Sequence, residues 1–303
     1  MNKLKGTLML LAAAFIWGTA FVAQTSASGS VASFTFNCMR SLVAVIFLLL
    51  FIGAKSAVAK EKKNKAGSEE KRKLLFGGAA CGAVLFVASN LQQFGIEIYP
   101  EGVAASGRAG FITATYVVMV ALCSTFSGKK LHPLVVAAVF GCIAGMYLLC
   151  LSNGFSGIYL GDVMVFLCAI CFTAYIMVVD RFSYLDSLKM SCIQFAVCAI
   201  LSMIGMFIFD KPDFSVVLKA WLPICYAGVL SSGVAYTLQM AGQKYAEPAV
   251  ASIVMSLESV FAALAGWAVL NEMLSTREFF GCVLVFAAVI LAQVPEFIKA
   301  ENT

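Results

Sequence analysis

The chain has 303 residues, of which 61% are hydrophobic and only 12% charged, against roughly 25% charged residues in an ordinary soluble domain, so a water-soluble globule is the wrong starting point. The formal charge of +5 is concentrated between Lys55 and Lys73, a distribution that fits membrane topology better than a nucleic-acid partner. The single histidine, His132, leaves no His-rich metal site, no zinc-protease spacing and no Ser/His/Asp triad within an apolar segment.

Apolar runs fall at 7–24, 31–54, 74–98, 102–126, 134–151, 160–179, 187–209, 221–241, 248–270 and 279–295. A helix needs about 20 apolar residues to cross a bilayer, and in lipid only helices and closed barrels satisfy every backbone polar group. Runs this long and this continuously apolar predict helices rather than alternating strands. The expected fold is an all-α membrane protein with ten transmembrane helices.

The first run follows Lys3 and Lys5 and also resembles a signal peptide, with 25–29 as a cleavage region. Its length, and the Trp17-Gly18-Thr19 interruption, favour an uncleaved first span. The segment Lys55 to Lys73 mixes Glu61, Glu69 and Glu70 among its cations and reads as a solvated cytoplasmic linker. No other segment between runs is long enough for a soluble domain. Of the 21 Lys and Arg residues, Arg40 and Arg108 lie well inside runs. If the N-terminus is cytoplasmic, only Lys211, Lys219 and Arg277 fall in outer loops and the rest fall inside, which places both termini in the cytoplasm for an even number of spans. The 11 cysteines sit in apolar runs and read as small packing residues, Cys168-x-x-Cys171 included.

The sequence repeats internally. At a shift of 154, Ile16, Thr19, Ala20 and Phe21 meet Ile170, Thr173, Ala174 and Tyr175, and Ser33, Asn37 and Arg40 meet Ser187, Ser191 and Gln194. At a shift of 146, Gln93, Tyr99, Glu101, Ala105 and Ser106 meet Gln239, Tyr245, Glu247, Ala251 and Ser252. The longer basic loop of the first half accounts for the change of shift. Two five-helix units, 1–151 (with the basic loop 55–73) and 152–303, are therefore expected. Because each has an odd number of spans, the second enters the membrane upside down, the architecture of many secondary carriers with a midplane site.

A charge at mid-bilayer costs about 2.5–3.5 kcal/mol on insertion scales, so Arg40, Arg108 and Glu258 are functional candidates, with buried ion pairing as the competing explanation. Asn90, Gln93 and Glu97 share one face of the third span, and the repeat sets Tyr236, Gln239 and Gln243 at the corresponding places. These stripes predict a water-lined cavity, or else hydrogen bonds between packed helices. Glu97, Glu101 and Glu247 lie near span ends and read as solvated. Trp17 lies at mid-depth, away from the interfacial belt, where it can stack on a ligand or pack. The expected substrate-binding set is Trp17, Arg40, Asn90, Gln93, Arg108, Tyr236, Gln239 and Glu258.

Trp17-Gly18, Arg40 and the stretch from Ala249 to Ser275, AVASIVMSLESVFAALAGWAVLNEMLS, resemble the EamA family of the drug/metabolite transporter superfamily. Glu258, Phe261, Trp267, Glu272, Leu274 and Ser275 match the family pattern, whereas Ser259 stands where a helix-bending proline is typical. The resemblance covers essentially the whole chain. It implies a secondary transporter, not an enzyme, working by alternating access in a bacterial plasma (inner) membrane. The implied partners are a small-molecule substrate, the lipid bilayer and a proton as candidate coupling ion, with no cofactor and no nucleic acid, in a monomer or homodimer. Export of an amino acid or related metabolite is the leading expectation. Import of a vitamin-like or nucleoside-like compound, a channel, and a membrane-embedded enzyme are the alternatives.

Overall fold

The computed structural model describes residues 2–58, 67–100, 103, 105–126, 128, 131–150, 159–270 and 276–301. Among the described residues every regular element is helical. Three long helices come first: α1 (Asn2–Ser28), α2 (Ser33–Val58) and α3 (Ser68–Glu97). The pair α4 (Ala105–Thr113) and α5 (Tyr116–Phe126) makes one interrupted crossing and is followed by α6 (Pro133–Cys150). Next come α7 (Leu160–Phe182) and α8 (Ser187–Gly205), which widens into a π-helical stretch at Met206–Asp210. After the short α9 (Phe214–Lys219), a further crossing is built from α10 (Trp221–Cys225), a π-helical stretch (Tyr226–Ala235) and α11 (Tyr236–Gly242). The chain closes with α12 (Pro248–Met255), α13 (Leu257–Leu270) and α14 (Thr276–Glu301).

Eight helical segments are long and apolar enough to cross a membrane, and two more, Pro133–Gly145 and Phe279–Ala292, are shorter apolar helices. Large apolar side chains such as Leu8, Phe15, Ile46, Leu50 and Phe286 stand exposed on the outside of the bundle. In water such a surface would aggregate; in a bilayer it is simply solvated by lipid chains. The predicted basic linker is shorter than 55–73, because α2 continues through Lys55 to Val58 and α3 begins at Ser68. An exposed Glu69–Lys73 pair at i,i+4, 2.7 Å apart, supports that first turn of α3. Residues 59–66, with five of the linker's eleven charged residues, lie outside the described residues, as does the boundary expected at 151/152.

Contacts at the helix ends fix the direction of several crossings. Ser33 Oγ donates to Glu97 Oε2 at 2.5 Å, and Asp210 Oδ2 accepts from Thr35 N at 2.6 Å and Thr35 Oγ1 at 2.8 Å. The start of α2, the end of α3 and the end of the α8 crossing therefore share one side, called here the Ser33 side. Tyr99 bonds to Asp162, so α7 begins there too. On the opposite side Lys244 Nζ donates to the Leu185 carbonyl at 2.7 Å, bringing together the end of α7 and the end of α11. A Cβ placed on Gly6 would lie 3.1 Å from the Gly242 carbonyl, so α1 begins on that side. Hence α1 and α7 run in opposite directions.

The packing partners also exchange between halves. Helix α3 packs on α7, and α1 packs on the crossing that ends in α11; α2 packs on α8, and α6 on α14. The closest approaches repeat in detail. A Cβ on Gly82 of α3 would sit 2.7 Å from both the Gln194 carbonyl oxygen and Val197 Cβ. One on Gly228 would sit 2.8 Å from the Arg40 carbonyl oxygen and 2.6 Å from Val43 Cβ. The pairs 82/228, 194/40 and 197/43 are related by the two sequence shifts found above. Small residues at such crossings let helix backbones meet where lipid supplies no hydrophobic drive.

Gly228→Ala is expected to force these backbones apart and to cost about 1–3 kcal/mol by overpacking. Gly53→Ala, with nothing within 4 Å of its added carbon, is the matched control and should leave detergent-phase thermal unfolding unchanged.

Candidate functional site

Two of the crossings are broken near their middles, and both breaks face the same internal cavity. Between α4 and α5 the chain turns at Ala114–Thr115, where Thr115 Oγ1 donates back to the Ile112 carbonyl at 2.6 Å. Between α12 and α13 it turns at Ser256, whose Oγ donates to the Ile253 carbonyl at 2.7 Å, while Ser259 Oγ donates to the Ser256 carbonyl at 2.7 Å. Hydroxyls that bond back to the preceding turn compete with the helical ladder and bend it. Ser259, in the place where the family pattern has a proline, thus takes part in an interruption that needs no proline. A third irregularity is the π-helical stretch Tyr226–Ala235, a wide winding often found at functional sites.

The cavity is about 40 Å³ and is lined from α1 by Trp17, Phe21 and Gln24, and from α2 by Arg40. The broken helices contribute Thr113, Tyr116, Met255 and Glu258. Gln92 of α3, Phe172 and Ile176 of α7, and Ser231, Tyr236 and Gln239 complete the wall. At 10–15 Å³ for each water centre, this is room for roughly three waters. A metabolite needs the halves to part.

Arg40 is 4% exposed and Glu258 5% exposed. Arg40 Nε and Glu258 Oε1 make no well-formed hydrogen bond, although the Tyr116 hydroxyl lies beside the Glu258 carboxyl group, and neither residue forms an ion pair among the described residues. The guanidinium lies 5.8 Å from the Phe36 ring centre, a weak cation–π contact. Gln24 Oε1, Tyr116 OH and Gln239 Oε1 are also buried without partners. Leaving a buried polar atom unmatched costs about 1–3 kcal/mol, more for a charge, and five such atoms around one cavity leave its wall with unmet hydrogen-bonding capacity.

Tyr236 is the hub of the wall. Its ring meets Trp17 edge-on at 4.8 Å, Phe195 at 5.3 Å and Tyr175 at 5.7 Å, and it lies within electrostatic reach of both Arg40 and Glu258. Trp17 Nε1 donates to the Ser231 carbonyl at 3.3 Å, which ties α1 to the π-helical stretch. Tyr175 OH donates to Gln194 Oε1 at 2.9 Å, and Gln92 Nε2 to Thr113 Oγ1 at 3.0 Å. One flank of the cavity is thereby held while its charges are left free.

Of the residues expected from sequence, Trp17, Arg40, Tyr236, Gln239 and Glu258 meet at this cavity. Asn90 does not line it: its amide oxygen accepts from Asn37 Nδ2 at 3.0 Å, clamping α2 to α3. Gln93 is wholly buried, with Nε2 at 3.5 Å from the Gln24 carbonyl, and its neighbour Gln92 faces the cavity instead. Arg108 is also placed elsewhere. Its Nε and Nη2 grip Asp162 Oδ1 and Oδ2 at 2.6 Å each, and its guanidinium lies 5.0 Å from the Tyr159 ring centre. Tyr99 OH donates to the same carboxylate at 2.8 Å, so this network joins the ends of three crossings on the Ser33 side. Glu97 is exposed, as expected, and also accepts from Ser33 Oγ. Gln24, Thr113 and Tyr116 escaped the sequence reading. Gln24 was detectable, being seven residues after Trp17 on the same face; Thr113 and Tyr116 face the cavity only because the helix breaks between them.

An all-helical multi-pass membrane protein with a charged internal cavity is the class that fold and site define. A model of the EamA-like transporter family matches residues 4–151 and again 159–293. The chain belongs to this family, a branch of the drug/metabolite transporter superfamily. An uncharacterized transporter of Archaeoglobus fulgidus is 28% identical over 292 residues, spanning 96% of this chain and 86% of its own. A crystal structure 20% identical in sequence superposes with a TM-score of 0.75, covering 95% of this chain and 98% of that one, which speaks for the fold alone. Family and relative point to a transporter rather than an enzyme.

Asp162→Ala is expected to lower thermal stability more than the double variant Arg108→Ala/Asp162→Ala, because the single change leaves a half-buried guanidinium without its carboxylate. Unfolding of the two variants in detergent gives the comparison.

Proposed function

We propose that this protein is a secondary carrier that moves a small zwitterionic or amphipathic metabolite across the plasma membrane, in the export direction. In this reading ten spans form two inverted five-helix repeats, 1–151 and 152–303, both termini are cytoplasmic, and the cavity opens to each side in turn. The observation that carries it is the pair of buried ionisable side chains, Arg40 and Glu258, that face one cavity without an ion-pair partner among the described residues. A guanidinium suits a substrate carboxylate and a carboxylate suits an amine, so together they suit an amino acid or a similar molecule. The opposed courses of α1 and α7, the exchanged packing partners and the duplicated family match support the inverted arrangement.

The repeat makes the charge asymmetry informative. The counterpart of Arg40 is Gln194 and that of Glu258 is Ile112. One half thus contributes the cation and the other the carboxylate, and rocking one half against the other changes the distance between them. The closures are asymmetric too. On the Ser33 side Arg108, Asp162 and Tyr99 form a charged latch, whereas their counterparts on the other side are Val254, Leu8 and Tyr245. In this reading the latch parts whenever the carrier opens toward the Ser33 side, the outer one.

Counterflow in vesicles with panels of amino acids, vitamins and nucleosides tests substrate and class. Arg40→Gln, which installs the residue of its own repeat counterpart, should lower uptake of the best substrate at least about tenfold, the loss of one charge-assisted contact of 1.5–3 kcal/mol. If Glu258 carries the coupling proton, Glu258→Gln removes the pH dependence of transport while counterflow persists; unchanged pH dependence assigns Glu258 to substrate alone. Currents far above carrier turnover in a planar bilayer contradict the carrier and indicate a channel.

A further inference from the structure

A second hollow, about 410 Å³, lies on the opposite face of α1 from the central cavity, between α1, α10 with the start of the π-helical stretch, and α13. Its walls are Thr19, Val22, Ala23 and Ser26 on α1, Leu222, Pro223 and Tyr226 on the next wall, and Ala265 and Val269 on α13. Ser26 and Leu222 set it in the half of the bundle nearer the Ser33 side, and Leu222 and Val269 at its rim are well exposed. From Thr19 to Ser26 it runs about 10 Å along α1 at 1.5 Å per residue, roughly a third of the ~30 Å hydrocarbon core.

The two hollows differ in chemistry. Around the central cavity buried polar atoms lack partners. In the groove every polar side chain is already satisfied from within the chain: Thr19 Oγ1 reaches the Phe15 and Ile16 carbonyls at 3.0 Å and meets Tyr226 OH at 2.5 Å, and Ser26 Oγ donates to the Val22 carbonyl at 2.8 Å. Pro223 has no amide hydrogen to offer. Such a wall presents mainly hydrocarbon and offers water few groups to bond, so water does not stably fill it. An unfilled void beside lipid would forfeit dispersion contacts along its whole length.

We propose that this groove is a binding site for one acyl chain of a membrane phospholipid, entering from the leaflet on the Ser33 side, with its headgroup at the interface beyond Ser26 and Leu222. The occupant is set by depth and chemistry: a lipid-facing opening, apolar walls, internally satisfied hydroxyls and a length suited to part of a chain. A chain held there braces α1 from behind, opposite the face that carries Trp17, Phe21 and Gln24 into the central cavity.

The test uses the full-length protein in phosphatidylethanolamine/phosphatidylglycerol vesicles doped with phosphatidylcholine that carries a diazirine at mid-chain. After irradiation, adducts are mapped by mass spectrometry. The expected result is labelling of 19–26, 222–226 and 265–269 several-fold above that of Ile46 and Leu50, exposed side chains of α2. Ala23→Phe, filling the groove from α1, should bring groove labelling down to the α2 level while leaving α2 unchanged. Ala265→Phe does the same from the other wall and serves if the first variant elutes aggregated. Groove labelling no higher than that of α2, labelling insensitive to both fillings, or labelling by a water-soluble diazirine in place of the lipid overturns the proposal. None of these readouts depends on transport.

Discussion

Two ionisable side chains held away from bulk water without a partner of opposite charge organise this molecule. Arg40 and Glu258 come from different halves of the chain, face one small cavity, and are not joined to each other or to any other charge among the described residues. A guanidinium or carboxylate at mid-membrane costs a few kcal/mol even after the chain adapts. A sequence serving stability alone would pair them or replace them with leucine. Much of the surrounding architecture serves to keep them free: Tyr175 occupies Gln194, Thr113 occupies Gln92, and Trp17 is tethered to the Ser231 carbonyl.

Arg108 shows what the alternative looks like. It is as conspicuous in the sequence as Arg40, but in the fold it is engaged by Asp162 through two bonds and by the Tyr159 ring. An isolated arginine in an apolar run does not disclose which situation it is in, because its partner lies 54 residues away on another helix. The same holds for Asn90, whose amide is taken up by Asn37 from a neighbouring helix. The helical class, the course of most spans, the repeat and five of the cavity residues were legible because each rests on local composition or on a regular spacing. The remainder depended on helix rotation and on two interruptions. Gln92 and Gln93 are adjacent in sequence and face different ways, and Thr113 and Tyr116 reach the cavity across a break produced by a back-bonded hydroxyl. The predicted linker 55–73 was too long because charged residues can extend a helix past the membrane when i,i+4 pairs such as Glu69–Lys73 support them.

The glycine crossings link packing to the proposed movement. Backbones that meet at Gly82 and Gln194, and again at Gly228 and Arg40, form close-set contacts that can act as pivots. Arg40 lies at one of these contacts through its backbone while its side chain reaches the cavity, so a shift at the crossing is felt at the charge. On the proposed inverted arrangement, the same relation holds in the other half at Gln194, where a neutral amide replaces the cation.

The central claim is that one polar cavity between the halves is reached from each side of the membrane in turn. Cysteine accessibility tests it most directly: a single cysteine at Ser231, in a background without the 11 native cysteines, exposed to a membrane-impermeant thiol reagent from one face of oriented vesicles and then from the other. The account predicts modification from both faces, slowed by saturating substrate. Modification from one face only, or from neither, contradicts it.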